Sequence, residues 1–174
     1  GGSIFREADW NGLLGMVAET HAAWGTRWIV SNSRRTPDAF SDRLAGLAAA
    51  TDGPVGDFID VRRAGAGTLA ELLAAAELVV VTADSSSMLS EAVWMRRPVV
   101  AVFPELSSLP ADEQGYRAYL EESSWARNLA LANLTPARFE ACLADIKPIS
   151  GNPLDTLARL IGERIPALAA KSGE

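Results

Sequence analysis

Apolar residues alternate between helical and strand spacings from about residue 9 to residue 103. Trp10, Leu13, Leu14, Val17, His21 and Trp24 share one helical face, so the spacing predicts a helix over 9–24, ended by Gly25. Residues 27–31 read as a short strand and 32–35 as a loop. Thr36-Pro37 then gives a helix start, with threonine as cap and proline in the first turn. Phe40, Leu44, Leu47 and Ala48 carry that helix to about Ala50. A strand is predicted over 57–61, a basic, glycine-containing loop over 62–67, and a helix over 68–76. Residues 78–82 show almost no polar alternation, as expected of a strand buried on both faces of a parallel sheet. A helix over 86–96 turns Met88, Leu89, Ala92 and Val93 inward, and Pro98–Phe103 is a second fully apolar strand. Beyond it the pattern predicts helices over 111–122, 135–145 and 152–170, with a short extended piece at 125–130.

Helices alternating with short strands define the class: α/β, with a Rossmann-like parallel sheet covered by helices on both faces. One element of that class is missing. No strand precedes the helix at 9–24, so the first strand is expected just upstream of Gly1, unless Gly1, Gly2 and Ser3 are not native. The 174 residues suit a single domain over 1–174 with a sizeable core.

Composition narrows the partners. A net charge of −6 argues against nucleic acid and against an anionic membrane surface. No apolar run is long enough for a transmembrane segment. Cys142 stands alone and cannot form an internal disulfide, which fits a reducing, cytoplasmic compartment. One cysteine and one histidine exclude the common zinc sets, so no metal site is expected. His21 lies on an apolar stripe and reads as a core residue, as does Cys142.

In open parallel sheets, ligands bind beyond the carboxyl ends of the strands. The loops predicted there hold Gly1 and Gly2, then Arg34 and Arg35, then Arg62 and Arg63, then Asp84, Ser85, Ser86 and Ser87. An acidic chain thus gathers arginines and hydroxyls on one edge, which suits an anionic ligand such as a phosphate. Glu91 follows Ser87 by four residues, on the same helical face, where its carboxylate could accept two ribose hydroxyls. Helix capping accounts for the serines as well, with Asp84 as a further cap, and Glu91 then is a solvated helix residue. No nucleophile elbow, P-loop or complete dinucleotide fingerprint is present, which disfavours a dinucleotide-dependent oxidoreductase.

Two stretches carry a resemblance. Ser33-Arg34-Arg35-Thr36-Pro37, and Val81 to Ala92 followed by Arg97-Pro98-Val99, resemble the mitochondrial-fission ELM1-like family. Gly1-Gly2-Ser3 matches a glycine pair that opens the family's second half, which makes Gly1 native by this resemblance. The likeness covers the C-terminal half of the family's length, a half similar to the donor-binding lobe of GT-B glycosyltransferases. It implies a lobe whose partner is an N-terminal lobe of the same protein. It implies a nucleoside diphosphate or nucleotide sugar as ligand and no separate cofactor. Glu91 would hold ribose, Ser85, Ser86 and Ser87 the phosphates, and Arg34 and Arg35 would neutralise them. Ala64-Gly65-Ala66-Gly67 stands where the family has an Asn-Pro-Tyr-like stretch. No residue reads as a catalytic base, so the catalytic residues stay unassigned and the chain alone is expected to show no transferase turnover. The resemblance equally admits a catalytically silent scaffold or recruitment protein with a vestigial nucleotide site, and a peripheral place at a membrane.

Overall fold

The computed structural model describes residues 4–65, 68–104, 109–151 and 153–165. Helix α1 (Glu7–Trp24) is followed by β1 (Trp28–Ser31), α2 (Asp38–Ala48), β2 (Val55–Ile59), α3 (Thr68–Ala75) and β3 (Val79–Thr82). Then come α4 (Ser86–Trp94), β4 (Val99–Phe103), α5 (Ala111–Glu122), β5 (Ala126–Ala130), α6 (Pro136–Ala144) and α7 (Pro153–Arg164). The fold is Rossmann-like α/β, as the alternation implies.

Local chemistry sets the boundaries. At the start of α1, Asp9 Oδ2 accepts from the Arg6 N–H at 2.7 Å. That helix ends at Gly25, whose φ of 70° is the left-handed conformation that glycine adopts at least cost. The two Thr-Pro starts behave differently. Thr135 caps α6, accepting from Arg138 N, with Pro136 in the first turn. Thr36 does not cap α2: its hydroxyl accepts from Ser33 N at 2.9 Å, and Pro37 becomes the cap residue. Strand β2 runs earlier than the predicted 57–61. It stops at Ile59 because the Asp60 carbonyl accepts from Arg63 N and Ala64 N in a turn, while Val61 N turns to the Asn32 side chain.

All strand pairs are parallel. Strand β1 pairs with β2, and β3-β4-β5 form a three-stranded set, with Val81 opposite Ala101 and Ala101 opposite Asn128. Strand β4 is central and every one of its residues is buried. One face packs Val81, Val99, Ala101 and Ala126 against Leu73 of α3, Leu89, Ala92 and Val93 of α4 and Leu120 of α5. The other packs Val100, Val102 and Leu129 against Met16 and Val17 of α1 and Phe139 of α6, with Trp28 and Val30 of β1 joining them. Both strand sets therefore contribute to one apolar layer, with helices on both faces.

Strand β3 departs from expectation. Only Val81 is buried, and Val79, Val80 and Thr82 are half-buried. Its missing alternation does reflect apolar packing on two faces, but one edge of the strand is open. His21 is not a core residue either. It is half-buried at the end of α1, with Nδ1 2.8 Å from the Thr26 carbonyl. Cys142 is half-buried beside the α1–α6 layer, where burial pushes its thiol pKa up.

Candidate ligand site at the carboxyl edge of the sheet

The ends of β1 and β3 meet through one ion pair. Arg35 Nε lies 3.7 Å from Asp84 Oδ2, joining the loop after β1 to the loop before α4. Arg35 keeps 42 % of its side chain exposed, whereas Asp84 keeps 10 %. Asp84 is thus a salt-bridge partner and not the predicted cap. Ser85 occupies the cap position of α4, and its side chain makes no capping hydrogen bond. Plain capping therefore does not explain the serines.

Helix α5 accounts for Ser86 and also engages Ser90. Ser86 Oγ donates to Glu113 Oε2, and Ser90 Oγ shares a 2.7 Å hydrogen bond with Tyr116 Oη. Arg117, 1 % exposed, is the centre of this contact. Its Nη1 reaches Glu113 Oε2 at 2.5 Å, and its Nη2 donates to the Ala83 carbonyl and to Ser86 Oγ. Its Nε is buried and makes no hydrogen bond among the described residues. The Ser86 hydroxyl, and then Arg117, hold the Glu113 carboxyl below the usual glutamate range. A buried guanidinium needs such partners, because its charge cannot be shed. The network fixes the turn from Ala83 to Ser86 and so aims the first turn of α4.

The loops after β1 and β2 are tied separately. Asn32, buried, donates to Ser41 Oγ and Asp60 Oδ1, both at 3.1 Å, and accepts from Val61 N at 2.7 Å. Asp60 in turn takes a forked pair from Arg62, at 2.8 Å from Nε and 2.7 Å from Nη2. That fork drives the Asp60 carboxyl well below the usual range and the Arg62 guanidinium higher still. Arg62 also bonds Asp38, so its charge is balanced within the chain. Arg62 and Arg63 line a cavity of about 400 Å³ beside β2, away from Arg35.

The predicted residues therefore separate into groups. Arg35, Asp84 and Ser85 come together where the ends of β1 and β3 meet. Arg34, Ser87 and Glu91 are exposed, and their side chains make no hydrogen bond or ion pair among the described residues. Ser86 is turned to Glu113 and Arg117. Gly1 and Gly2 lie outside the described residues, as do Ala66 and Gly67. Sequence reasoning missed Glu113, Arg117, Tyr116 and Asn32. The i,i+4 spacing of Glu113 and Arg117 was a visible signal, but it reads like any solvated helix pair. No group of three or more His, Cys, Asp or Glu among the described residues could hold a metal ion.

A parallel sheet with helices on both faces, the ends of β1 and β3 joined by Arg35 and Asp84, defines the class as Rossmann-like α/β. Within that class, the chain belongs to the mitochondrial fission ELM1 family, whose model matches residues 4–161. No curated protein and no solved structure matches it. No helix among the described residues is long and apolar enough to cross a membrane.

Proposed function

We propose that this chain is the donor-binding lobe of a GT-B-like glycosyltransferase and binds a nucleoside diphosphate or nucleotide sugar at the carboxyl edge of its sheet. The observation that carries the reading is the approach of Arg35 to Asp84, which brings an exposed guanidinium beside the start of α4. The free N–H groups of that helix end favour anionic oxygen, and Arg34 adds a second cation, one without an ion pair among the described residues. Ser87 and Glu91 lie one turn apart on the exposed side of α4, with no side-chain partner among the described residues, where a hydroxyl and a carboxylate can take phosphate and ribose. In transfer, the arginines and the helix end stabilise the departing diphosphate. An N-terminal lobe of the same protein supplies the acceptor side and any catalytic base.

Calorimetric titration with UDP, GDP, ADP, CDP and TDP at low salt tests this. Saturable binding of one nucleotide, lost in Glu91→Ala, is the expected result. Absence of binding to all five overturns the reading and leaves a scaffold role for the fold.

A further inference from the structure

The cavity beside β2 is built apart from the edge where Arg35 meets Asp84. It holds about 400 Å³, within the range of roughly 300–1,000 Å³ typical of small-molecule sites. Helix α2 lines it with Asp42 and Ala45, the end of β2 with Phe58 and Ile59, and the turn after β2 with Arg62 and Arg63.

Four charged residues line this space: Asp42, Asp60, Arg62 and Arg63. Two are already neutralised within the chain. Asp60 takes the Arg62 fork, and Arg62 also bonds Asp38. The other two come from different elements, Asp42 from α2 and Arg63 from the turn. Neither side chain makes a hydrogen bond or an ion pair among the described residues, so they do not pair with each other. Asp42 acts on Arg62 only as a longer-range charge. The cavity thus offers a ligand one anion and one cation held apart. A phosphate suits it badly, because Asp42 offsets the single free cation. A simple cation meets the same objection from Arg63.

The surroundings hold these two groups in place before any ligand arrives. The Asp60 carbonyl accepts from Arg63 N and Ala64 N, both at 2.9 Å. The buried Asn32 amide accepts from Val61 N at 2.7 Å and donates to Asp60 Oδ1 and to Ser41 Oγ of α2. One buried side chain therefore fixes the spacing between the helix that carries Asp42 and the turn that carries Arg63. A site set in advance loses less freedom on binding.

We infer that this cavity binds a small zwitterion of the amino-acid class, with its carboxylate on Arg63, its ammonium on Asp42 and an apolar side chain against Ala45 and Phe58. The planar guanidinium can grip a carboxylate through two parallel N–H donors, and an ammonium on Asp42 is the matching charge-assisted contact. Thr68 also lines the cavity; its hydroxyl donates to the Gly65 carbonyl at 2.8 Å and keeps lone pairs for an ammonium. This site is independent of the donor-lobe reading and stands whichever ligand the other edge binds.

The test titrates the isotope-labelled chain with L-leucine and L-phenylalanine at neutral pH and follows amide shifts by NMR. The amide and the des-amino acid of each are the matched controls, since each keeps only one of the two charges. Saturable shifts at Ala45, Ala64 and Thr68 are expected with at least one zwitterion, and its two controls should bind at least about tenfold more weakly. Asp42→Asn and Arg63→Gln should each weaken binding by a similar factor, beside a urea curve that shows the fold intact. If a variant does not fold, the matched controls alone decide. No saturation with either zwitterion overturns the site. So does a singly charged control that binds as well as its parent, binding that ignores both substitutions, or shifts centred on Arg35 and Ser85 instead.

Discussion

Arg117 of α5 donates through Nη2 to the main-chain oxygen of Ala83, thirty-four residues away in sequence and one residue before Asp84. A buried cation on a neighbouring helix thus fixes the turn that carries the candidate site. Replacing it by leucine removes the donor to Ala83 and leaves Glu113 and Ser86 without their guanidinium. We predict a loss of about 3 kcal/mol, the order expected when one partner of a buried pair is removed. Urea denaturation of Arg117→Leu measures it. Arg117→Lys keeps the charge but lacks the planar fork, and should recover only part of the loss.

The same cluster predicts a response to acid. The Glu113 carboxyl is depressed in the folded chain by the Ser86 hydroxyl first and by Arg117 second. A depressed carboxylate contributes stability above its unfolded value of about 4.3 and loses it as pH falls through the lower, folded value. Wild-type stability should therefore decline below about pH 4.3 more steeply than that of Glu113→Gln, which cannot titrate. At pH 7 the variant should be weaker by about 1–3 kcal/mol, since amide replaces a charged acceptor. Denaturation midpoints at several pH values between neutral and strongly acid check both statements. Parallel curves for the two proteins would assign the acid response elsewhere.

Gly25 offers a simpler test of local backbone. Its φ of 70° closes α1, with its N–H donating to the His21 carbonyl at 2.8 Å. No atom lies within 4 Å of the position a Cβ would take. Gly25→Ala should therefore cost only the left-handed backbone penalty, about 1 kcal/mol, with no steric addition. A much larger loss in thermal or urea unfolding would point to a packing role that this open position does not have.

Much of this architecture was legible because it is local. Ala111 to Glu122 forms a helix over the predicted span, and Thr135-Pro136 starts α6 as read. The apolar run at Val99–Phe103 becomes the fully buried central strand. The failures are tertiary. Thr36 resembles Thr135 in sequence, yet Ser33 N takes its hydroxyl and the cap passes to Pro37. Trp24, which its spacing puts on the apolar face of α1, keeps 43 % exposure. Asp84 looked like a cap until Arg35 reached it from another loop. The acceptors chosen by Ser86 and Ser90 belong to α5, and no spacing within residues 81–93 encodes that distance. Placement of Arg35 on one cavity and of Arg62 and Arg63 on another is equally invisible in one dimension.

The ion pair between Arg35 and Asp84 supplies the last prediction. Asp84 holds the guanidinium at the strand ends, but its carboxylate also competes with any anionic ligand for it. The contact is 3.7 Å long and Arg35 is well exposed, so the pair contributes at most about 1 kcal/mol to stability. Asp84→Asn should therefore leave the fold nearly as stable while removing the competing charge. On the donor-lobe reading, its affinity for the bound nucleoside diphosphate rises about three- to tenfold at low salt, and Arg35→Ala lowers it by a similar factor or more. The double change Arg34→Ala with Arg35→Ala should weaken binding further and flatten its salt dependence, because both screened charges are gone. Calorimetry at two ionic strengths, beside a urea curve for each variant, separates these effects. An affinity that ignores all three substitutions would place the ligand away from the ends of β1 and β3. A fall in affinity for Asp84→Asn would instead make the carboxylate a ligand contact, with Arg35 serving to orient it.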